Sequence, residues 1–138
     1  MIGLMDSWEC LFDLLMSQRA RVPAIAAEFE LSPVQAYVLR LIEPGEGVPM
    51  GRLARGLACD ASNVTGIVDR LEARGLIERR PGAGDRRVKV LVVTREGERL
   101  RATMLARMAE PPAEFARLSP ADQRTLARIL QQMAAESA

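Results

Sequence analysis

The chain has 138 residues, a formal net charge of +1, and a composition that is 49% hydrophobic but only 4% aromatic. This length suits one domain, or a small core with dimerising arms, and the core must be aliphatic. The chain has no histidine, which excludes Ser-His-Asp and Cys-His hydrolases and removes the commonest zinc ligand. No apolar stretch of about 18 residues could span a membrane, and the N-terminus lacks the basic region of a secretory signal. We therefore expect a cytoplasmic protein with no membrane contact, no metal and no cofactor.

The charge is unevenly distributed along the chain. Residues 52–101 contain 12 Lys+Arg and 7 Asp+Glu, whereas the rest of the chain contains 7 and 11. A basic segment in an otherwise acidic molecule suits contact with phosphates. The alternative is an arginine-rich solvated surface.

The first third of the chain is predicted to be helical. Apolar residues at three- and four-residue spacing predict a helix over 6–29, which Pro23 kinks or divides. A second helix follows, with Ser32 as N-cap, Pro33 at its first position and Gln35 completing a capping box. The residues predicted to form the inner face of this second helix are Val34, Tyr37, Val38 and Leu41.

The middle of the chain predicts two helices and a hairpin. Residues 50–58 form a short helix and 59–75 a longer one, which ends at Gly75. Residues 76–80 and 87–93 are strand-like, and the PGAGD stretch between them makes a hairpin. The core residues predicted for the longer helix are Val64, Ile67, Val68 and Leu71.

The last third is again helical. Thr94 is placed to cap a helix that ends before Pro111 and Pro112. Ser119 and Pro120 open a final helix. The apolar stripe of that helix consists of Leu126, Ile129, Leu130 and Met133.

This order of elements predicts a mainly α protein with a small β-hairpin wing, a winged helix-turn-helix flanked by N- and C-terminal dimerisation helices. Such a fold lays its second helix in the major groove of DNA, where base edges carry a distinct hydrogen-bonding pattern. The residues predicted to lie at the DNA are Ser62, Asn63, Thr65, Gly66 and Arg70. Ser62 and Asn63, like Asp60, have an alternative role as helix caps.

The tip of the hairpin carries Asp85, Arg86 and Arg87. A narrow minor groove concentrates negative potential and attracts arginine, so we expect this tip to reach the groove beside the recognition helix. Asp85 could orient one guanidinium through a bidentate pair. The alternative is a local network that stabilises the turn.

Two segments resemble the MarR/SlyA family of transcriptional regulators. These are the helix end RLEARGLIER at 70–79 and the wing at 85–97, where DRR precedes an alternating strand that closes in VT and a glycine. LSPVQAYVLRLI and LSPADQRTLARILQQM also match family positions, so the resemblance covers nearly the whole chain. It implies a DNA-binding repressor and an obligate homodimer that presents two winged domains to a pseudo-palindromic operator.

The apolar faces of the terminal helices agree with a dimer, since they exceed what a small winged domain needs; an ordinary monomeric core is the alternative. Two-fold symmetry then places the half-sites about one DNA turn apart. We expect an N-terminal dimerisation helix at 1–31, the winged DNA-binding domain at 32–97 and C-terminal dimerisation helices at 98–138.

The resemblance also implies control by a signal, commonly a small aromatic or phenolic effector in a crevice between the dimerisation and DNA-binding regions. The residues that could line such a crevice are Trp8, Phe12, Tyr37 and Met50, and each also suits the core. One branch of the family instead oxidises a cysteine of the N-terminal helix, which makes Cys10 a redox candidate; Cys59 suits burial as a small apolar residue. A repressor with no effector is the remaining alternative.

Two other classes compete with a DNA-binding regulator. A winged-helix module for protein interaction could keep the fold and lose DNA binding, although the intact Arg86–Arg87 tip argues against it. An enzyme would need a nucleophile and a base, and the sequence offers no such motif.

Overall fold

The computed structural model describes residues 3–57 and 61–136. Within these ranges the chain is mainly helical, with seven α-helices, three short strands and one short 3₁₀ helix. The helices are α1 (Leu4–Gln18), α2 (Arg21–Glu28), α3 (Pro33–Leu41), α4 (Met50–Leu57), α5 (Ala61–Ala73), α6 (Arg95–Ala109) and α7 (Pro120–Glu136). The strands are β1 (Val48–Pro49), β2 (Ile77–Pro81) and β3 (Lys89–Val93), and the 3₁₀ helix is Ala113–Arg117. This confirms the predicted class of fold.

The chain divides into two compact units, one ending at Arg107 and the other beginning at Met108. The first contains the sheet, helices α1 to α5 and nearly all of α6. Its core is aliphatic, as the composition requires. The core side chains that are almost completely buried include Val38, Leu39, Ile42, Leu53, Val64, Val68, Leu71, Leu76, Ile77, Leu91 and Met104.

The N-terminal helix is divided in two. The break falls at Arg19 and Ala20, between α1 and α2, and Pro23 lies in the first turn of α2. A proline has no N–H, and its ring excludes the carbonyl four residues earlier, which here belongs to Arg19. The predicted division is therefore confirmed, and it lies ahead of Pro23.

Helix α3 begins as its sequence predicts. The hydroxyl of Ser32 accepts a hydrogen bond from the Gln35 backbone N–H at 3.2 Å, and the Gln35 side chain accepts one from the Ser32 N–H at 2.9 Å. Pro33 occupies the first position. This capping box satisfies two N–H groups that would otherwise have no helical partner.

The predicted inner face of α3 is wrong except at Val38. Val34 and Tyr37 are each 41% exposed and Leu41 is 37% exposed, whereas the buried residues of the helix are Ala36, Val38 and Leu39. The helix carries two apolar stripes, and the one containing Leu39 faces the core.

Arg101 of α6 is buried against the end of α3. Its Nε donates to the carbonyl of Leu39 at 3.2 Å and its Nη2 to the carbonyl of Arg40 at 2.9 Å. The same Nη2 lies 2.9 Å from the carboxylate of Glu43. Because the last carbonyls of a helix have no partner within it, Arg101 caps α3 and joins it to α6.

The sheet has the order β1-β3-β2 and is antiparallel throughout. Strands β2 and β3 form the predicted hairpin, in a register that pairs Ile77 with Val93 and Pro81 with Lys89. Strand β1 was not predicted, because it has only two residues and one of them, Pro49, cannot donate to a ladder and is confined to sheet edges. It extends the hairpin to three strands.

The second unit contains the 3₁₀ helix and α7. The Ser119 hydroxyl accepts a hydrogen bond from the Asp122 N–H at 3.1 Å, so Ser119 caps α7 as predicted. Leu126 of α7 is half-buried, while Ile129, Leu130 and Met133 remain exposed. Most of the apolar stripe of α7 is thus exposed to solvent in the single chain.

Candidate nucleic-acid interface

Helix α5 packs one face against the core and exposes the other to solvent. Val64, Val68 and Leu71 are completely or almost completely buried, which confirms them as core. The positions predicted to lie at DNA are exposed where they are described: Asn63, Thr65, Gly66 and Arg70. Ser62 belongs to the first turn of α5, but its side chain lies outside the described residues, as do Cys59 and Asp60.

The end of α5 is fixed by two contacts. Gly75 adopts a positive φ of 71°, and the N–H of Leu76 donates to the carbonyl of Leu71 at 3.1 Å, which is a glycine-based C-terminal cap. The guanidinium of Arg74 donates to the carbonyls of Phe29 and Glu30 at 3.0 and 2.8 Å. Arg74 thereby ties the end of α5 to the end of α2. Arg70 is the basic residue in the last turn of α5 and is exposed.

The loop between β2 and β3 is closed by its own backbone. The Gly82 N–H donates to the carbonyl of Val88 at 2.8 Å, and the Val88 N–H donates to the carbonyl of Asp85 at 3.1 Å. The Asp85 carboxylate accepts the backbone N–H of Arg87 at 2.9 Å. Asp85 therefore stabilises the turn, and the expected pairing of its carboxylate with a guanidinium is not what the structure shows.

Arg86 and Arg87 are exposed at this tip. In the part of the chain that the structure describes, no carboxylate lies within 4.0 Å of either guanidinium. Both guanidiniums of the tip are therefore without a carboxylate partner among the described residues.

Arg79, on the other hand, joins the sheet to α5. Its backbone N–H donates to Glu72 at 3.0 Å, and its guanidinium donates to Glu72 at 2.6 Å and to Asp69. The hydrogen bond to Asp69 is the main cause of a raised Arg79 pKa, and the charge of Glu72 adds to it. Sequence reasoning missed this contact; the one signal was two acids on a helix followed by an arginine in the next strand.

In the described part of the chain, the four predicted ligand-pocket residues lie at three separate places. Trp8 and Phe12 are 54% and 46% exposed on α1, with ring centroids 6.1 Å apart. Tyr37 lines a cavity of about 380 Å³ with Arg40, Leu41, Glu43, Arg101 and Leu105. Met50 lines a different cleft of about 200 Å³ between α4 and α5.

Comparison with known proteins finds similarity to one family. The model of the MarR family matches residues 29–88, from the end of α2 to the wing. The solved structure of YusO from Bacillus subtilis is 26% identical and superposes with a TM-score of 0.76, covering 96% of this chain and 94% of that one. Residues 29–88 are thus similar to the MarR family, and the chain shares the fold of YusO.

Other solved structures share the fold at lower identity. MepR, a transcription regulator of the Staphylococcus aureus multidrug efflux pump MepA, superposes with a TM-score of 0.77 at 18% identity, covering 95% of this chain and 98% of that one. Wild-type MarR from Escherichia coli, in its apo form, gives a TM-score of 0.73 at 20% identity, covering 96% of this chain and 98% of that one. At these identities the likeness concerns the fold.

Two curated relatives are named as regulators. YhbI of Bacillus subtilis, an uncharacterised HTH-type transcriptional regulator, is 28% identical over 98 residues, which are 68% of this chain and 64% of YhbI. NicR of Pseudomonas putida, an HTH-type transcriptional repressor, is 30% identical over 80 residues, 58% of this chain and 51% of NicR. The chain thus spans a half to two thirds of these relatives. Their names agree with the prediction of a regulator and not an enzyme.

The remaining candidate residue of the chain is Cys10, which is a free thiol exposed on α1. Among residues 3–57 and 61–136, no three Cys, Asp or Glu side chains are grouped to hold a metal ion. Within the same ranges, no helix is both long and apolar enough to cross a membrane.

Proposed function

We propose that this chain is a sequence-specific DNA-binding transcriptional regulator that acts as a homodimer on a pseudo-palindromic operator. The observation that carries the proposal is the pair of exposed guanidiniums of Arg86 and Arg87, which have no carboxylate partner among the described residues. They stand on a hairpin that follows directly from α5. An anionic double helix is the ligand that such a surface fits.

Each part of the interface has a role in this proposal. Helix α5 enters the major groove, where Ser62, Asn63 and Thr65 approach base edges and Gly66 allows a close fit. Arg70 reaches a guanine or a phosphate. The wing reaches the adjacent minor groove with Arg86 or Arg87, and Asp85 holds the turn that presents them.

The terminal helices supply the dimer in this proposal. None of the residues of α1 is buried, and three apolar residues of α7 are exposed, although monomeric proteins rarely expose large contiguous apolar patches. A second copy of the chain would cover these faces. We assign residues 1–31 and 98–138 to dimerisation and 32–97 to DNA binding.

We further propose that the regulator is a repressor whose affinity for DNA is lowered by a small aromatic or phenolic effector. NicR, which is similar in sequence, is named a repressor. The cavity beside Tyr37 offers an aromatic ring, two leucines, and the charged groups of Arg40, Glu43 and Arg101, which suits an aromatic molecule with a polar group. Oxidation of Cys10 is the alternative control, and loss of repression only with oxidants would favour it.

The test is selection of bound duplexes from a random pool, followed by binding measurements on the selected duplex and a scrambled one. We expect a pseudo-palindromic site, and affinity that falls linearly with salt on logarithmic axes because phosphate contacts release counterions. A protein-interaction module would show no selected sequence, and that result would overturn the proposal.

The variant that tests the wing is Arg87→Ala. Loss of an inserted guanidinium should weaken operator binding by about 1–3 kcal/mol and reduce the salt slope by about one unit. Arg124→Ala, which removes the same charge from the exposed surface of α7, is the matched control and should bind as the parent does. Equal affinities for the two variants would contradict insertion of Arg87.

A further inference from the structure

The cleft between α4 and α5 is lined mainly by apolar groups, which hydrogen bonds to base edges do not require. It has a volume of about 200 Å³ and is lined by Met50, Gly51, Ala54, Val64 and Thr65. None of these five side chains carries a charge, and the hydroxyl of Thr65 is the one polar group among them. The floor is closed by Val64, which is almost completely buried.

The cleft opens on the side of the molecule that the proposed function assigns to DNA. Thr65 lies on the exposed face of α5 beside Gly66, and Gly51 is exposed on α4. A Cβ atom placed on Gly51 or on Gly66 would meet no heavy atom within 4 Å. Both glycines therefore border open space, and a base edge can approach the cleft between them.

We propose that this cleft receives the C5-methyl group of a thymine in the operator. In the major groove, thymine is distinguished by an apolar group on its edge, and alanine and threonine methyls are its usual partners. The lining supplies those groups in Ala54 and Thr65. The cleft thus makes Ala54 and Thr65 specificity-determining residues for one thymine in each half-site. This inference rests on the proposed function.

The test removes a single methyl group from the DNA. In the selected operator, each thymine is replaced in turn by deoxyuridine, which lacks only the C5-methyl. At one symmetry-related pair of thymines, we expect each single replacement to weaken binding about three- to tenfold, because it removes one buried methyl. A 5-bromouracil at the same position, which restores the apolar volume, should restore the affinity.

Two variants assign the effect to this cleft. Thr65→Ser removes the γ-methyl and keeps the hydroxyl, so it should reduce the preference for thymine over deoxyuridine. Ala54→Leu fills the cleft and should abolish that preference. If Ala54→Leu fails to fold, the Thr65→Ser variant and the deoxyuridine series on the parent protein still decide the question.

The results separate this inference from the proposed function. Specific, salt-dependent binding that no deoxyuridine weakens would overturn the thymine cleft and leave the regulator intact. A sensitive thymine whose effect persists unchanged in Thr65→Ser and Ala54→Leu would also overturn it, because the methyl would then be read elsewhere. Absence of any sequence-specific DNA binding would overturn both.

Discussion

At the scale of single residues, we expect Gly66 to lower the stability of α5 and to favour operator binding. It lies inside α5, where glycine costs about 1 kcal/mol relative to alanine, and a Cβ at this position would meet nothing within 4 Å in the free protein. We expect Gly66→Ala to raise the free energy of unfolding by about 0.5–1 kcal/mol and to weaken operator binding, because the methyl would occupy the space where DNA approaches. Urea denaturation and fluorescence anisotropy measure the two effects.

The control for Gly66 is Gly56, near the end of α4. A Cβ on Gly56 would lie 4.0 Å from Leu41, an ordinary contact. Gly56→Ala should leave DNA affinity as it is. If Gly66→Ala binds the operator as tightly as Gly56→Ala does, DNA does not approach α5 closely at that position.

The role of Asp85 is decided by comparing two substitutions. Its carboxylate accepts the Arg87 backbone N–H at 2.9 Å, and an asparagine oxygen can accept the same bond. We expect Asp85→Asn to keep operator affinity and Asp85→Ala to weaken it by about 0.5–1.5 kcal/mol, the net value of one hydrogen bond. Isothermal titration with the operator checks this. Equal losses for the two variants would instead favour a role for the negative charge.

At the scale of elements, Arg101 is the contact that joins α6 to α3. Replacing it with methionine keeps an aliphatic side chain but leaves the carbonyls of Leu39 and Arg40 without this donor. We expect Arg101→Met to lower the free energy of unfolding by about 1–3 kcal/mol, the cost of an unsatisfied buried polar group. Arg99→Met, exposed on the same helix, is the control for urea denaturation. A midpoint for Arg101→Met equal to that of the control would show that the cap contributes nothing.

The elements also show how far sequence reasoning reaches. The capping box of α3 was predictable because it depends on residues three apart in the chain. The inward face of α3 was not, because Tyr37 and Leu39 lie on two apolar stripes, and periodicity does not reveal which stripe faces the core. Strand β1 was not predictable either, since it exists only through pairing with β3, about forty residues later.

In the candidate interface, too, local features could be predicted from the sequence and contacts between distant elements could not. The exposed tip with Arg86 and Arg87 was predictable, because a turn between two strands must lie at the surface. The contact of Arg79 with Asp69 and Glu72 was not, because it joins a strand to a helix and depends on how they pack. The sequence left two roles open for Asp85, a pair with a guanidinium or a network that stabilises the turn. The geometry of the turn supports the second role.

At the scale of the whole molecule, charge and apolar surface are segregated. Residues 52–101, which include α5 and the wing, carry 12 basic and 7 acidic residues, while the rest carry 7 and 11. The uncovered apolar side chains of α1 and α7 lie outside this basic segment. The basic segment and the exposed apolar faces are therefore separate in the chain, as the proposed dimeric regulator requires.

Because the exposed apolar side chains of α1 and α7 lie outside the basic segment, we expect that the proposed dimer can be broken without unfolding the winged domain. Leu130 is 43% exposed on α7, so Leu130→Glu should be tolerated in the single chain, yet it would bury a charge in an apolar interface between two chains. We expect sedimentation to show a monomer, and operator binding to weaken at least tenfold, because the two half-sites are no longer engaged together. Gln131→Glu adds the same charge at the neighbouring exposed position and should remain dimeric. A Leu130→Glu protein that sediments as a dimer would mean that α7 does not form the interface, and the apolar face of α1 would then have to supply it alone.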